Sequence, residues 1–139
     1  HASLPKRHYE QGAHGEPLDI TSYNQIRLAL GIPDSTADFR PDEIVALDAG
    51  YDLLNAVSFT KGCYVGQEIT ARMHYKNIAR RGFFLLNDAA GSRRLALLRF
   101  DEVPPGGGSV LVDNHPYQAE LPAWMEPKYA QFHANANNQ

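Results

Sequence analysis

Apolar residues in the second half of the chain recur in short runs that are typical of β-strands. Turn-forming residues separate these runs, and the pattern predicts four strands at residues 82–86, 94–99, 109–112 and 117–121. The tetrapeptide Asp113-Asn114-His115-Pro116 predicts a tight turn between the last two strands. Short strands this close in sequence favour a small antiparallel β-barrel over residues 80–125.

One helix is predicted early in the chain. Apolar residues within 20–30 mark a helical face only approximately, and Ser22-Tyr23-Asn24-Gln25 matches a capping box. Gly31 and Pro33 predict a clean end to this helix, because glycine tolerates the left-handed conformation and proline cannot continue a helix.

The region that follows alternates helix breakers with short apolar runs. Pro41-Asp42-Glu43 suits the first turn of a brief helix, with both carboxylates near its positive end. Residues 56–59 predict a short strand. A second full helix is predicted to begin near Val65 or Gly66 and to run to about Tyr75. Together with the strands, these helices predict an α+β fold.

Both ends of the chain are polar. Residues 1–18 follow neither a helical nor a strand period, and we expect a loop whose three histidines have no zinc-motif spacing. We expect a disordered tail at 126–139, because residues 134–139 have almost nothing to bury. The chain begins with histidine rather than methionine, so we expect a fragment or a processed product.

The composition is typical of a soluble globular protein, with 43% hydrophobic and 21% charged residues. No stretch approaches the roughly 18 consecutive apolar residues that a membrane helix needs, so we expect no membrane partner. A net charge of −3 gives no general reason to bind nucleic acid.

A single cysteine, Cys63, excludes a disulfide within the chain and any metal site built from several of its own cysteines. We therefore predict no metal centre formed by this chain alone. A lone cysteine also fits a reducing compartment, either the bacterial cytoplasm or the mitochondrial matrix.

Residues 61–72 place this cysteine between two glycines, just before the second predicted helix. A helix N-terminus and a nearby ammonium such as that of Lys61 both favour the thiolate, the form that acts as nucleophile or ligand. Gly62 and Gly66 would allow a sharp turn and close approach of a ligand to the backbone. The alternative is that Cys63 is a small buried hydrophobe, as most lone intracellular cysteines are.

The motif Lys-Gly-Cys-Tyr-x-Gly-Gln-Glu at residues 61–68 closely resembles the signature of the YgfZ family of folate-binding proteins, which includes a mitochondrial iron–sulfur assembly factor. Supporting similarity lies at Arg27, at Gly31-Ile32-Pro33 and at Ala71-Arg72-Met73. The related glycine-cleavage aminomethyltransferases have a Lys-Gly-x-Phe-Ile-Gly segment instead, so Cys63 favours the YgfZ branch.

The resemblance implies the C-terminal part of a fold like that of the glycine-cleavage T-protein. Residues 1–79 would then be the C-terminal portion of the folate-binding region, 80–125 the small barrel and 126–139 the tail. The implied cofactor is tetrahydrofolate, and much of its site is expected upstream, in a missing N-terminal part that would be a partner of this chain.

The resemblance also implies a function: a folate-binding accessory protein that supports iron–sulfur cluster assembly or repair, with client or scaffold proteins as partners. Cys63 would be the reactive residue, and Lys61 would hold it as thiolate. The residues expected around the cysteine or at the folate site are Arg27, Lys61, Gly62, Tyr64, Gly66, Gln67, Glu68 and Arg72. Of these, Gln67, Glu68 and Arg72 would fix the helix against the pocket wall.

Two other functions stay open at this point. One is a tetrahydrofolate-dependent aminomethyl or methyl transferase, and the other is a structural module with an inert cysteine. The family's link to tRNA modification raises a third possibility. The arginines at 80–81, 93–94 and 99 could form a basic face that binds tRNA. A solvated sheet surface accounts for these arginines better, because two of the pairs flank predicted strands.

Overall fold

The computed structural model of the chain describes residues 19–40, 42–76 and 79–136. Within these residues the helices are α1 (Ile20–Ala29), α2 (Gln67–Lys76) and α3 (Glu126–Ala136). The strands are β1 (Arg81–Asn87), β2 (Arg93–Arg99), β3 (Gly108–Val112) and β4 (His115–Glu120). Short 3-10 helices lie at Phe100–Glu102 and Ala123–Met125. The α+β class is confirmed, and none of the described helices is both long and apolar enough to cross a membrane.

The four strands form one antiparallel sheet in the order β2-β1-β4-β3. The sheet is open, with β2 and β3 at its edges, so the predicted barrel is wrong. Closure would require β2 to pair with β3, and these two strands lie at opposite edges of the sheet. Helices and loops cover the two faces of the sheet instead.

Strand β1 has packed residues on both faces, and the five residues Gly82–Leu86 are all buried. Phe84 and Leu86 point to what we call the α3 face, where they pack against residues that include Phe100, Met125 and Tyr129. The opposite α1 face contains a second cluster that consists of Ala49, Phe83, Leu85 and Leu95, with Leu28 of α1 packed against it. A strand that is buried on both faces needs a continuous apolar run rather than an alternating one.

Residues 126–136 form helix α3, so the predicted disordered tail is wrong for this stretch; residues 137–139 lie outside the described residues. Tyr129 is buried and its hydroxyl donates to the backbone oxygen of Val103 over 3.0 Å. The Lys128 ammonium donates to the Leu47 carbonyl over 2.8 Å and to Asp52 over 2.7 Å. These contacts, and the packing of Phe132 against the same core cluster, order the helix. The sequence prediction missed it because residues 134–139 have little to bury.

Helix α1 starts earlier than the predicted capping box. Asp19 is the N-cap, and its carboxylate accepts from the backbone N–H groups of Thr21 and Ser22, each over 3.1 Å. These hydrogen bonds, that from the Ser22 hydroxyl above all, lower the pKa of the Asp19 carboxyl. The capping box at Ser22 is therefore wrong, because Asp19 already satisfies the free N–H groups of the first turn.

The predicted end of α1 is confirmed. Gly31 has φ +65°, its N–H donates to Leu28 over 3.1 Å, and the N–H of Ile32 donates to Arg27 over 2.8 Å. This pair of hydrogen bonds is a Schellman motif, which needs a residue in the left-handed conformation.

Two local predictions are wrong, and a third is confirmed with a smaller extent. Residues 56–59 form no strand, because Ala56 and Val57 donate back to the Tyr51 carbonyl instead of to a neighbouring strand. No helix starts at Asp42, whose φ is +64°, and Pro41 lies outside the described residues. The tight turn after β3 is confirmed but uses two residues, Asp113 and Asn114, since the next two belong to β4.

Substitution of Gly31 tests how α1 is fixed to the rest of the chain. A Cβ at Gly31 would lie 2.5 Å from Cγ of Pro122, and its φ of +65° disfavours a side chain as well. Gly91 has φ +85° but open space around it, so it is the matched control. We expect Gly91→Ala to lower the free energy of unfolding by about 1–2 kcal/mol. Gly31→Ala should cost about 1–3 kcal/mol more, because of the added clash.

Urea denaturation of the two variants and the parent protein measures this difference. Equal losses at the two glycines would show that the contact between the end of α1 and Pro122 does not constrain the fold.

Candidate functional site

Cys63 lies on an exposed turn that leads into α2. The thiol is free and exposed, and its neighbours Gly62 and Tyr64 are exposed as well. The interpretation of Cys63 as a buried hydrophobe is therefore wrong. Helix α2 begins four residues further on, at Gln67, so the cysteine precedes the helix rather than occupying its first turn.

The turn is held by its own backbone and by Gln67. Gly66 has φ +85°, a conformation that favours glycine, whereas a Cβ at Gly62 would meet open space. The N–H of Tyr64 donates to the Gln67 side chain over 3.1 Å, and the N–H of Gln67 donates back to the Tyr64 carbonyl over 3.3 Å. Gln67 therefore shapes the turn that presents the thiol.

Helix α2 is attached to the rest of the chain by few buried groups. Thr70 is the one buried residue among its ten described residues. One turn further along the same side of the helix, the imidazole of His74 stacks on Phe59, with ring centroids 3.8 Å apart and planes inclined by 16°. The stack ties the two ends of the cysteine segment (residues 59–76) together, and most of the segment remains open to solvent.

Glu68 and Arg72 form an ion pair of 2.8 Å on the surface of α2, with side chains 83% and 61% exposed. Pairs of this kind contribute about 0.3–0.5 kcal/mol. The two side chains are too exposed to anchor the helix within the described part of the chain, and their expected place at a pocket wall stays a prediction. Lys61 is exposed as well.

Arg27 lies in a buried network within the α1 region. Its guanidinium is 2.6 Å from the carboxylate of Asp38, with side chains 5% and 6% exposed, and its Nε donates to Asn24 over 2.7 Å. Burial raises the pKa of the Asp38 carboxyl, although Arg27 and the N–H of Asp34 act in the opposite direction. The arginine is thus engaged in a structural pair.

The arginines of the sheet face carboxylates. The ion pairs are Arg81 with Asp48, Arg93 with Glu120, Arg94 with Asp113, and Arg99 with Asp101 and Glu102. Such pairing cancels much of the positive charge that binding of a phosphate backbone needs. A tRNA-binding face stays a prediction without support from the charge distribution.

The described part of the chain contains at least two cavities. One, of about 180 Å³, is lined by residues that include Leu47, Met73, His74 and Lys128. The other, of about 550 Å³, lies between the end of α1 and the sheet, and its lining includes Arg93, Glu120 and Trp124. Sequence reasoning missed the larger cavity, because separate stretches of the chain, far apart in sequence, supply its walls.

Neither cavity is lined by Cys63 or by the residues expected to hold tetrahydrofolate. The residues of the cysteine motif are mostly exposed, and Arg27 is bound to Asp38. A tetrahydrofolate site stays a prediction. No cluster of three or more histidine, cysteine or acidic residues suited to a metal ion occurs among the described residues. His1, His8 and His14 lie outside them.

No family model matches the chain. It is 44% identical over 69 residues to the mitochondrial iron–sulfur cluster assembly factor IBA57 homolog of Dictyostelium discoideum, over 50% of this chain and 17% of that protein. It is 41% identical over 66 residues to human mitochondrial IBA57, over 48% of this chain and 18% of that protein. The homolog from Eremothecium gossypii is 32% identical over 114 residues, which is 76% of this chain and 25% of that protein.

These matches confirm the kinship that the cysteine motif predicted. The chain is homologous to iron–sulfur cluster assembly factors of the YgfZ-related group, and the relatives named here are the mitochondrial IBA57 proteins. It spans about a quarter or less of the length of each of these relatives.

Removal of Asp38 tests whether Arg27 is structural. Asp38→Ala leaves a buried guanidinium without its counter-ion, and we expect the free energy of unfolding to fall by about 3–5 kcal/mol. The double variant Arg27→Met with Asp38→Leu should recover most of this loss, because it removes both buried charges. Glu68→Ala breaks the exposed pair and should cost less than about 0.5 kcal/mol.

Chemical denaturation monitored by circular dichroism gives all three values. If Asp38→Ala lowered the free energy of unfolding no more than Glu68→Ala does, another partner or solvent would compensate the charge of Arg27. Its assignment as a structural residue would then be wrong.

Proposed function

We propose that this chain is the portion of an iron–sulfur cluster assembly protein that presents a reactive thiol, Cys63, to its partners. The observation that carries the proposal is the exposure of this cysteine on a turn shaped by Gly66 and Gln67. The relatives are named as iron–sulfur cluster assembly factors, which indicates the process in which such a thiol would act.

The charge balance of the cysteine segment favours an anionic target. Residues 59–76 contain three cations, Lys61, Arg72 and Lys76, and one carboxylate, Glu68, in a chain whose net charge is −3. Iron–sulfur clusters are held by thiolates, which add negative charge to the site. We therefore propose that Cys63 acts on a cluster, or on the thiolates that hold one, in a client or scaffold protein. The cluster is the cargo of this reaction and not a resident group.

Exposed apolar side chains of the cysteine segment support a role in protein contact. Val65 is fully exposed, and Tyr64, Ile69 and Tyr75 are 47%, 59% and 74% exposed. Large apolar residues grouped on a surface are typical of interaction sites. A client protein, a scaffold protein or another part of the same protein would cover them.

Tetrahydrofolate binding remains part of the proposal only through the resemblance of the cysteine motif to folate-binding proteins. We propose that the motif residues form at most one wall of such a site, and we assign them no step that uses the cofactor. We place the protein in mitochondria rather than in the bacterial cytoplasm, because the relatives are named as mitochondrial proteins.

Alkylation followed by complementation tests the role of Cys63. We expect iodoacetamide to modify Cys63 in the native protein within about tenfold of its rate in the denatured protein, since the thiol is exposed. In cells that lack the endogenous relative, the full-length protein with Cys63→Ala should fold normally but fail to restore iron–sulfur enzyme activity.

Thr60→Ala is the matched control, because Thr60 is exposed on the same turn and has no proposed role in the chemistry. We expect it to complement as the parent does. Full complementation by Cys63→Ala would remove the thiol from the proposed function, whereas failure of both variants would point to the shape of the turn instead.

A further inference from the structure

The larger cavity, of about 550 Å³, lies on the α1 face of the sheet, apart from the cysteine segment. Three groups of residues line it: the carboxyl end of α1, the strand residues Leu85, Arg93 and Glu120, and residues 121–124. A volume of this size is within the range of about 300–1,000 Å³ that is typical of small-molecule sites.

The walls of this cavity are fixed by packing. The indole N–H of Trp124 donates to the carbonyl of Leu30 over 3.0 Å, which also satisfies a free carbonyl at the end of α1. Gly31 lies directly against Pro122, and Leu85 in the sheet is 4% exposed. The cavity therefore exists before any ligand arrives, which lowers the entropic cost of binding.

Two opposite charges lie at the cavity. Nη2 of Arg93 is 3.5 Å from a carboxylate oxygen of Glu120, and the side chains are 43% and 61% exposed. The pair is long and solvated, so it contributes little and a ligand can insert between its members. Nε of Arg93 donates to Asn87 over 2.9 Å, which orients the guanidinium.

The end of α1 adds a further negative element. Ala29, Leu30 and Gly31 bring the carboxyl terminus of a ten-residue helix to the lining, where the helix dipole favours a cation. An ammonium would therefore find both Glu120 and the helix end, whereas a carboxylate would find the guanidinium of Arg93. The remaining lining, formed largely by leucine, proline and tryptophan side chains, suits an apolar group.

We propose that this cavity binds an apolar α-amino acid, aromatic or branched, as its zwitterion. The carboxylate pairs with Arg93, the ammonium pairs with Glu120, and the side chain lies against Trp124 and Leu85. A purely apolar ligand would desolvate the charged pair without compensation, and an anion without an ammonium would face Glu120 and the negative helix end. This binding site is independent of the thiol and of the function proposed for it.

Tryptophan fluorescence provides a direct test, because Trp124 is the one tryptophan of the chain and lines the cavity. Titration with L-phenylalanine should produce a saturable change in the emission, with a Kd of about 1 mM. This affinity is expected for a ligand of about twelve non-hydrogen atoms. Phenethylamine lacks the carboxylate and 3-phenylpropionate lacks the ammonium. Each should bind about tenfold more weakly, because each loses one charged contact.

Three variants separate specific binding from a general effect on the protein. Arg93→Ala should weaken binding of L-phenylalanine about tenfold, because the carboxylate loses its partner. Ala29→Leu should abolish binding by filling the cavity while keeping a good helix former in α1. Arg94→Ala is the matched control, since Arg94 is the next residue on the strand but lies over the ring of Tyr117, 4.8 Å from its centroid, on the α3 face.

Saturable binding that is weakened by Arg93→Ala, abolished by Ala29→Leu and unchanged by Arg94→Ala would support the proposal. Absence of a saturable change with L-phenylalanine and L-leucine would overturn it. Equal affinity for 3-phenylpropionate, or equal effects of the Arg93 and Arg94 variants, would also contradict the zwitterionic binding mode.

Discussion

Burial of strand β1 on both faces is the constraint from which the rest of the structure follows. Its alternate side chains reach two separate apolar clusters, one beneath α3 and one beneath α1, while β2 and β4 occupy its two edges. Removing apolar surface from water on both sides supplies the main driving force for this arrangement. With its central strand enclosed in this way, the sheet has no need to close on itself, and it supports the walls of the larger cavity.

The strands could be predicted from the sequence because each is a short apolar run bounded by turn residues, and burial follows directly from such runs. The barrel could not be predicted reliably, because closure depends on which strands meet at the edges and not on the strands themselves. Helix α3 was missed for a related reason: its order depends on Tyr129 and Lys128 reaching partners at Val103 and Leu47, far away in sequence.

The candidate site shows a similar division. Cys63, Gly66 and Gln67 could be singled out because they belong to one continuous motif that resembles a family signature, and such a motif is local in sequence. The role of Arg27 could not be inferred in this way, because it depends on the ion pair with Asp38, which lies eleven residues further along the chain. The cysteine segment buries little apolar surface. We therefore expect its free energy of local unfolding to be well below that of the sheet.

Strand β1 is enclosed, whereas the cysteine segment is solvated. Native-state hydrogen exchange, read by mass spectrometry, measures this difference in protection most directly. We expect the amides of β1 to exchange most slowly in the chain and those of α2 to exchange orders of magnitude faster. Protection of α2 equal to that of β1 would contradict this expectation, because the segment that carries the thiol would then be part of the core.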